Sequence, residues 1–540
     1  MSFLLMVFFV LVCLFEDYPA PLVLPSLGGS ALLTWLTVAV VAGNAWRVSW
    51  VVRRRLERAP HGREAVLHRY ERARFYHQLG LLAAYVLCLT VFGWGWSVNH
   101  FWGAGESGGP VGAELLVLAP FLAAQLASWT FFYDAERASQ RAARRLLEEG
   151  AEAAAWLEPP RAASAGGRAS YVLFQFRQKL GLVFIPVLLL VFQKELYREL
   201  PHAWRDWQGL ANAGGIVALA LVFVTMPWIV RLVLGLTPLP PGPLRDRLWA
   251  TARRLKFRCS NVLLWNTRSG MANAMVIGIV PWVRYVVFTD RLVEDFSPEE
   301  VEAVFGHEVG HVKHHHMLYY LGFLTASMAV LFLAAEQGES VLKDLMRDAA
   351  GPAVAYVGNV LSPGSRQFWG AAPVVACMLT YIFVVFGFLS RRCERQADVF
   401  GCRAVSCRLA DCPGHGEGAE LPPDGRGLCP TGIRTFIRAL EKVALVNGIS
   451  RDKPGFLQSW QHSTIARRVE FLQRMLKDRA VEWYFQRRVF LVKWSLFVVL
   501  CGALVALVDL RCRTGQVLDS VPHLLSPKGQ QATRAPAAPS

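Results

Sequence analysis

Residues 297–316 read SPEEVEAVFGHEVGHVKHHH, and within them His307, Glu308 and His311 have the types and spacing for metal-assisted hydrolysis. Positions i and i+4 share one face of a helix. The two imidazoles can therefore converge on a zinc ion, while the adjacent carboxylate reaches a water on that ion. Zinc lowers the pKa of bound water from about 15.7 to about 7. Glu308 can take the water's proton and later deliver it to a leaving amine. The segment also specifies its own helix. Ser297 is a good N-cap, Pro298 suits the first helical position, and Glu300 completes a capping box.

A catalytic zinc needs a third protein ligand and an open fourth position. Met317 stands where an H-E-x-x-H-x-x-G-x-x-H pattern would place a third histidine, and His314, His315 and His316 read as a solvated or interfacial cluster. A second candidate lies downstream, in SRRCERQADVFG at 390–401, where Glu394 and Asp398 stand at i and i+4. In isolation this acidic pair beside Arg391, Arg392 and Arg395 also reads as a salt-bridged helix face. Topology favours a site, with Glu394 as third ligand and Asp398 as the partner that orients a histidine.

The elements that must position these residues follow from hydropathy and charge. The 540 residues are 54% hydrophobic and only 18% charged, with a mean hydropathy of +0.31. This excludes a disordered chain and fits a multi-pass membrane protein. A helix of roughly 20 apolar residues crosses a bilayer. Such stretches lie near 31–52, 79–98, 113–133, 209–230, 317–336, 371–389 and 490–510, with weaker ones at 2–15 and 179–193. The first of these lacks a basic leader and reads as a retained helix rather than a signal peptide. Of the 57 basic residues, 43 fall in loops 53–78, 134–178, 237–316 and 390–488, which assigns those loops to the cytoplasm. The hairpin 317–389 then returns the acidic pair to the membrane face that the histidine helix left. The expected order is an amino-terminal multi-span region (1–236), a cytoplasmic domain (237–488) interrupted by the hairpin, a last transmembrane helix (489–510), and a disordered tail (511–540). The Ala- and Arg-rich composition points to a bacterial inner membrane. No nucleic-acid reader motif accompanies the net charge of +16, so the charge serves as a topology marker.

With H-E-V-G-H followed by E-R-Q-A-D after a transmembrane hairpin, the chain resembles the membrane-bound zinc metallopeptidases of the CAAX prenyl protease and HtpX type. VVFTDRLVEDFSPEEVEAVFGHEVGH (286–311) is similar to that family's lead-in to its catalytic helix. The resemblance implies a mainly α-helical, zincin-like protease domain with a small β-sheet. MANAMVIGI (271–279) is similar to the family's edge strand, which implies extended substrate pairing beside Asn273 and Ala274; Ala272 stands where the family usually has Pro. His462, Arg468, Val469 and Leu472 match a late H-x5-R-[IV]-x-x-L pattern, with Ser463 replacing the common Pro. By resemblance, His462 or Arg468 stabilises the oxyanion or orders the ligand helix.

The insertion at 402–429 departs from that family. Cys402, Cys407, Cys412 and Cys429 are spaced C-x4-C-x4-C-x16-C, with His415 nearby. In a reducing compartment they can bind a second, structural zinc or stay free, whereas outside the cell two disulfides become the better account. The expected function is an integral-membrane zinc metalloendopeptidase acting on protein or peptide substrates, in processing or quality control of membrane proteins. The alternative is a multi-span transporter or scaffold carrying a degenerate, non-catalytic protease-like domain.

Overall fold

The structure is a computed structural model. It describes residues 18–24, 26–58, 63–101, 113–151, 167–181, 188, 192, 217, 221, 224–267, 270–349, 380–409, 412–414, 421–422, 427–447, 449, 463–478 and 480–513. The expected spans at 2–15, 179–193 and 209–230 lie wholly or mostly outside these residues, as do His415, His462 and most of the tail, and of the span at 371–389 only residues 380–389 are described. The chain divides into two compact units, one of residues 1–222, 345–373 and 519–540, the other of 223–344 and 374–518.

The first unit is helical: α1 (Leu27–Arg58), α2 (Arg63–Thr90), α3 (Trp94–Phe101), α4 (Ala113–Ala151) and α5 (Arg168–Phe176). Gly93, at φ 65°, lets the chain turn between α2 and α3, and residues 65–90 and 94–100 are bent by 46°. Its core gathers Leu81, Tyr85, Leu118 and Phe121, and the Tyr85 hydroxyl donates to Val117 O at 2.7 Å. Two buried polar groups inside it illustrate how burial is offset by partners. His77 bridges Asn44 Nδ2 (3.0 Å) and Ser128 Oγ (2.9 Å), and Arg74 pairs with Glu136 at 2.6 Å.

The second unit holds a four-stranded sheet of order β1-β2-β4-β3, with β1 at Thr237–Pro238, β2 at Asn261–Trp265, β3 at Ala274–Ile277 and β4 at Tyr285–Thr289. β2 and β4 run parallel, while β1 and β3 are antiparallel to their neighbours. YVVFT in β4 is buried throughout, as expected of a β-branched and aromatic strand covered on both faces. β3 is left as an edge. Helix α6 (Pro243–Arg254) is followed by α7 (Asp290–Asp295), α8 (Pro298–Lys313), α9 (His316–Ala349), α10 (Gly387–Ala404), α11 (Pro430–Val446), α12 (Ile465–Lys477) and α13 (Ala480–Arg513). α6 is tied to α8 by the buried Glu302, which accepts from Thr251 Oγ1 (2.6 Å), Arg247 Nε (2.8 Å) and Arg254 Nη2 (3.1 Å).

Among the described residues three helices are long and apolar enough to cross a membrane: Leu27–Arg58, Leu115–Ala142 and Ala480–Leu510. The bent pair α2–α3 makes a fourth if it is one span, and Val224–Leu234 and His316–Leu331 are shorter apolar helices. Their exteriors keep the apolar surface that lipid would cover: Leu32, Trp35, Leu36 and Val40 on α1, and Phe490, Leu491, Val498 and Val499 on α13 are all exposed.

Candidate metal centre

The amino terminus of α8 forms as its sequence demands. Ser297 Oγ accepts from the Glu300 N–H (3.3 Å), and Glu300 Oε2 accepts from the Ser297 N–H (3.0 Å). Two glycines let α8 lie almost against α10. A Cβ on Gly306 would fall 2.2 Å from Ala404 Cβ, and one on Gly310 would fall 2.8 Å from Phe400 Cβ and 3.1 Å from Ala397 Cα. Each glycine precedes a histidine by one position. The contact that brings the helices together therefore turns His307 and His311 toward Glu394 and Asp398 at the seam.

The donor atoms converge. His307 Nε2 and His311 Nε2 are 3.2 Å apart, and they lie 3.8 Å from Glu394 Oε2 and 3.6 Å from Glu394 Oε1, respectively. Donors about 2.0–2.1 Å from a tetrahedral zinc ion must stand about 3.3–3.4 Å from one another. The residues present thus fit a zinc ion in donor type, number and spacing.

Each histidine is oriented from behind. His307 Nδ1 stands 3.1 Å from Asp398 Oδ1, and its ring stacks on Phe436 with centroids 5.8 Å apart. Burial alone would depress the His307 pKa, but Asp398, Glu394 and Glu308 outweigh it and hold the pKa above the usual histidine value. Asp398, fully buried, is in turn gripped by Arg468, whose Nε donates to Oδ2 at 2.9 Å and whose Nη2 donates to Oδ1. Burial would raise the Asp398 pKa, yet Arg468 and His307 hold it below the usual aspartate range. The third guanidinium nitrogen, Nη1, is 3.8 Å from Glu394 Oε2. Of the two roles open to Arg468, this geometry favours ordering the carboxylates.

His311 is oriented by His316. His316 is not solvated or interfacial; it is fully buried, with Nδ1 3.1 Å from His311 Nδ1 and Nε2 3.2 Å from Gln396 Oε1. The same oxygen accepts from Lys493 Nζ at 2.9 Å, and Gln396 Nε2 donates to Gln486 Oε1 at 2.7 Å. An ammonium only donates, so the atom it meets on Gln396 is the carbonyl oxygen. His316 must then donate from Nε2. Burial and the neighbouring ammonium keep its ring neutral, so Nδ1 accepts from His311 Nδ1–H. His311 Nε2 is left with its lone pair toward His307 and Glu394. The turn responsible is His315, at φ 54°, which ends α8 in a left-handed cap and swings His316 back under His311.

Glu308 Oε2 accepts from the Val276 N–H of the edge strand at 3.1 Å, so the carboxylate lies between that strand and the two histidines. Asn273 faces the other way: its N–H donates to Thr289 Oγ1 (2.9 Å) and its carbonyl accepts from Thr289 N (3.0 Å). Backbone direction alternates along an antiparallel edge, so Ala274 and Val276 turn theirs outward. Of the two expected substrate contacts, Ala274 keeps this open edge and the Asn273 backbone is engaged in the sheet. Asn447 at the end of α11 occupies the preceding outward position, clamping Ala272 N and O at 2.8 Å each. Ala274, Val276, Glu308, Phe436 and Arg468 line one cavity of about 860 Å³ with the ligand residues.

Three of the four cysteines of the insertion also meet. Cys407, Cys412 and Cys429 are buried with their sulfurs within 4.8 Å of one another. Cys402 is not among them; it is buried with Val399 and Ile433 in the helical core.

Part of this chain is similar to known proteins. Residues 244–412 match the family described as Peptidase family M48. A CAAX prenyl protease 1 homolog of Oryza sativa is 34% identical over 110 residues, covering 20% of this chain and 26% of that protein. Probable CAAX prenyl protease 1 of Schizosaccharomyces pombe is 27% identical over 240 residues, covering 41% and 44%. Protease HtpX of Pseudomonas aeruginosa is 32% identical over 205 residues, covering 37% and 62%. The matches thus span from about a quarter to three fifths of these relatives' lengths. The crystal structure of S. mikatae Ste24p aligns over 82% of this chain and 98% of that one, at 15% identity and a TM-score of 0.45. Residues 244–412 are accordingly a peptidase family M48 segment, of the metallopeptidase group to which the CAAX prenyl proteases and HtpX belong.

Proposed function

We propose that the second unit is a zinc-dependent endopeptidase that cleaves extended polypeptide at the cytoplasmic face of a bacterial inner membrane. The observation that carries this reading is the complete donor set, with His307, His311 and Glu394 converging and Glu308 beside them. A degenerate scaffold would have no need of the buried partners behind each histidine. A zinc ion held there would supply a water acidic near neutral pH and polarise the scissile carbonyl. The chain's own residues do the rest. The outward backbone of Ala274 and Val276 offers a template for an extended peptide, by strand addition at an open edge. Substrate pairing at Val276 would compete with Glu308 for the N–H and free the carboxylate to act. Glu308 then takes the proton of the attacking water and returns it to the departing amine. Arg468 holds Asp398, Asp398 holds His307, and Nη1 keeps positive charge near Glu394. The cytoplasmic assignment rests on the Lys and Arg distribution along the loops.

The test is Glu308→Gln. The variant should bind zinc as the native protein does and fail to hydrolyse an unfolded polypeptide substrate in detergent or liposomes. Full hydrolysis by that variant would refute the assignment.

A further inference from the structure

The thiol cluster lies outside the catalytic machinery and has its own chemistry. Cys407 follows the end of α10, Cys412 lies five residues further, and Cys429 is the N-cap of α11. Their sulfurs lie within 4.8 Å of one another, and a zinc ion with bonds of about 2.3 Å to sulfur places tetrahedral thiolates about 3.8 Å apart. Hydrogen-bond donors aim at each sulfur. The Gly432 N–H points at Cys429 Sγ (3.4 Å), Thr431 Oγ1 at Cys412 Sγ (3.5 Å), and the Leu409 N–H at Cys407 Sγ. Each sulfur can thus accept a hydrogen bond from the chain while it faces the other two. The surrounding chain is built to keep the three together. A Cβ on Gly427 would lie 2.5 Å from Cys407 O, so only glycine lets the segment before Cys429 pass that close.

We propose that Cys407, Cys412 and Cys429 bind a second, structural zinc ion as three thiolates. Each thiol releases its proton to solvent as its sulfur bonds the ion, so binding liberates three protons and changes no oxidation state. Cys402 takes no part. The ion clips the end of α10, which carries Glu394 and Asp398, to the start of α11. That second helix supplies Phe436 against His307 and Asn447 against Ala272. The clip thus fixes one wall of the cavity without touching the reacting atoms. A disulfide would tie two of the sulfurs and leave the third as a thiol.

Metal content of the full chain decides the matter, purified in detergent under reducing conditions. The native protein should carry two zinc ions, and the double variant His307→Ala/His311→Ala should keep one. Exchange with cadmium in that variant should give a thiolate-to-cadmium charge-transfer band in the near ultraviolet. Cys407→Ser/Cys412→Ser should lose this ion, whereas the histidine variant reads the thiol site without altering it, so a cysteine variant that misfolds leaves the test intact. The proposal is overturned if the histidine variant holds no zinc, if cadmium gives no such band, or if thiol titration finds two of the three sulfurs in a disulfide. A single ion lost with the histidines would leave the catalytic reading standing and this one refuted.

Discussion

Replacing His316 tests the tautomer of His311, because His316 is not one of the three expected ligands of the ion. In His316→Phe the ring volume is nearly kept, but His311 Nδ1 loses its acceptor at 3.1 Å. Without metal, His311 can shift its proton to Nε2 and donate across the 3.2 Å gap to His307 Nε2. Zinc binding must undo that bond and return the proton to an Nδ1 with no partner in a buried site. An unsatisfied buried donor costs about 1–3 kcal/mol, and every 1.4 kcal/mol is tenfold in affinity. Loss of a residue that orients a metal-binding histidine typically weakens affinity by about 10–100-fold, which agrees. Chelator competition on the purified full chain measures this, with thermal unfolding as the control. His316→Gln, whose amide oxygen can accept the same N–H, should recover most of the affinity. Unchanged zinc affinity in His316→Phe would refute the relay. So would a loss that His316→Gln does not reverse.

Three further outcomes follow from the geometry. Asp398→Asn takes from the buried Arg468 the carboxylate held by Nε and Nη2, leaving it only Glu394 at 3.8 Å, and should cost about 3–5 kcal/mol of stability. The pH dependence carries the same sign: because Asp398 is held below its usual range, its contribution is complete above the unfolded value of about 3.9 and is lost as pH falls through the lower folded value. Denaturation as a function of pH should therefore show a shallower acid limb in Asp398→Asn than in the native chain. Gly310→Ala places a Cβ 2.8 Å from Phe400 Cβ at the seam and should destabilise by about 1–3 kcal/mol, measurable as a lowered Tm. Ala274→Pro removes one outward N–H from the edge strand; it should raise KM several-fold with zinc content unchanged, and an unaltered KM would argue against strand addition there.

The parts legible in the sequence are those in which chemistry repeats with the period of a helix. His307 and His311, and Glu394 and Asp398, are each four apart within one element, so spacing alone puts each pair on a face. The capping box at Ser297 and Glu300 is equally local. The rest depends on where the chain turns. A continuous helix sets His316 apart from the site, and only the left-handed turn at His315 brings it beneath His311. Asn447 lies 175 residues from the alanine it clamps, with no local pattern to mark it. Which backbone groups of 272–277 face outward was hidden too, because the pairing of Asn273 with Thr289 sets that register. The cysteines were legible as a cluster by composition, but burial of Cys402 in the helical core removes it from the set.

One zinc ion is expected between α8 and α10, and an anomalous-scattering map from crystals of the zinc-loaded protein would locate it. The peak should lie about 2.0–2.2 Å from His307 Nε2, His311 Nε2 and a Glu394 carboxylate oxygen together. A zinc-replete crystal with no peak at that point, or with Glu394 turned away from both histidines, would contradict it.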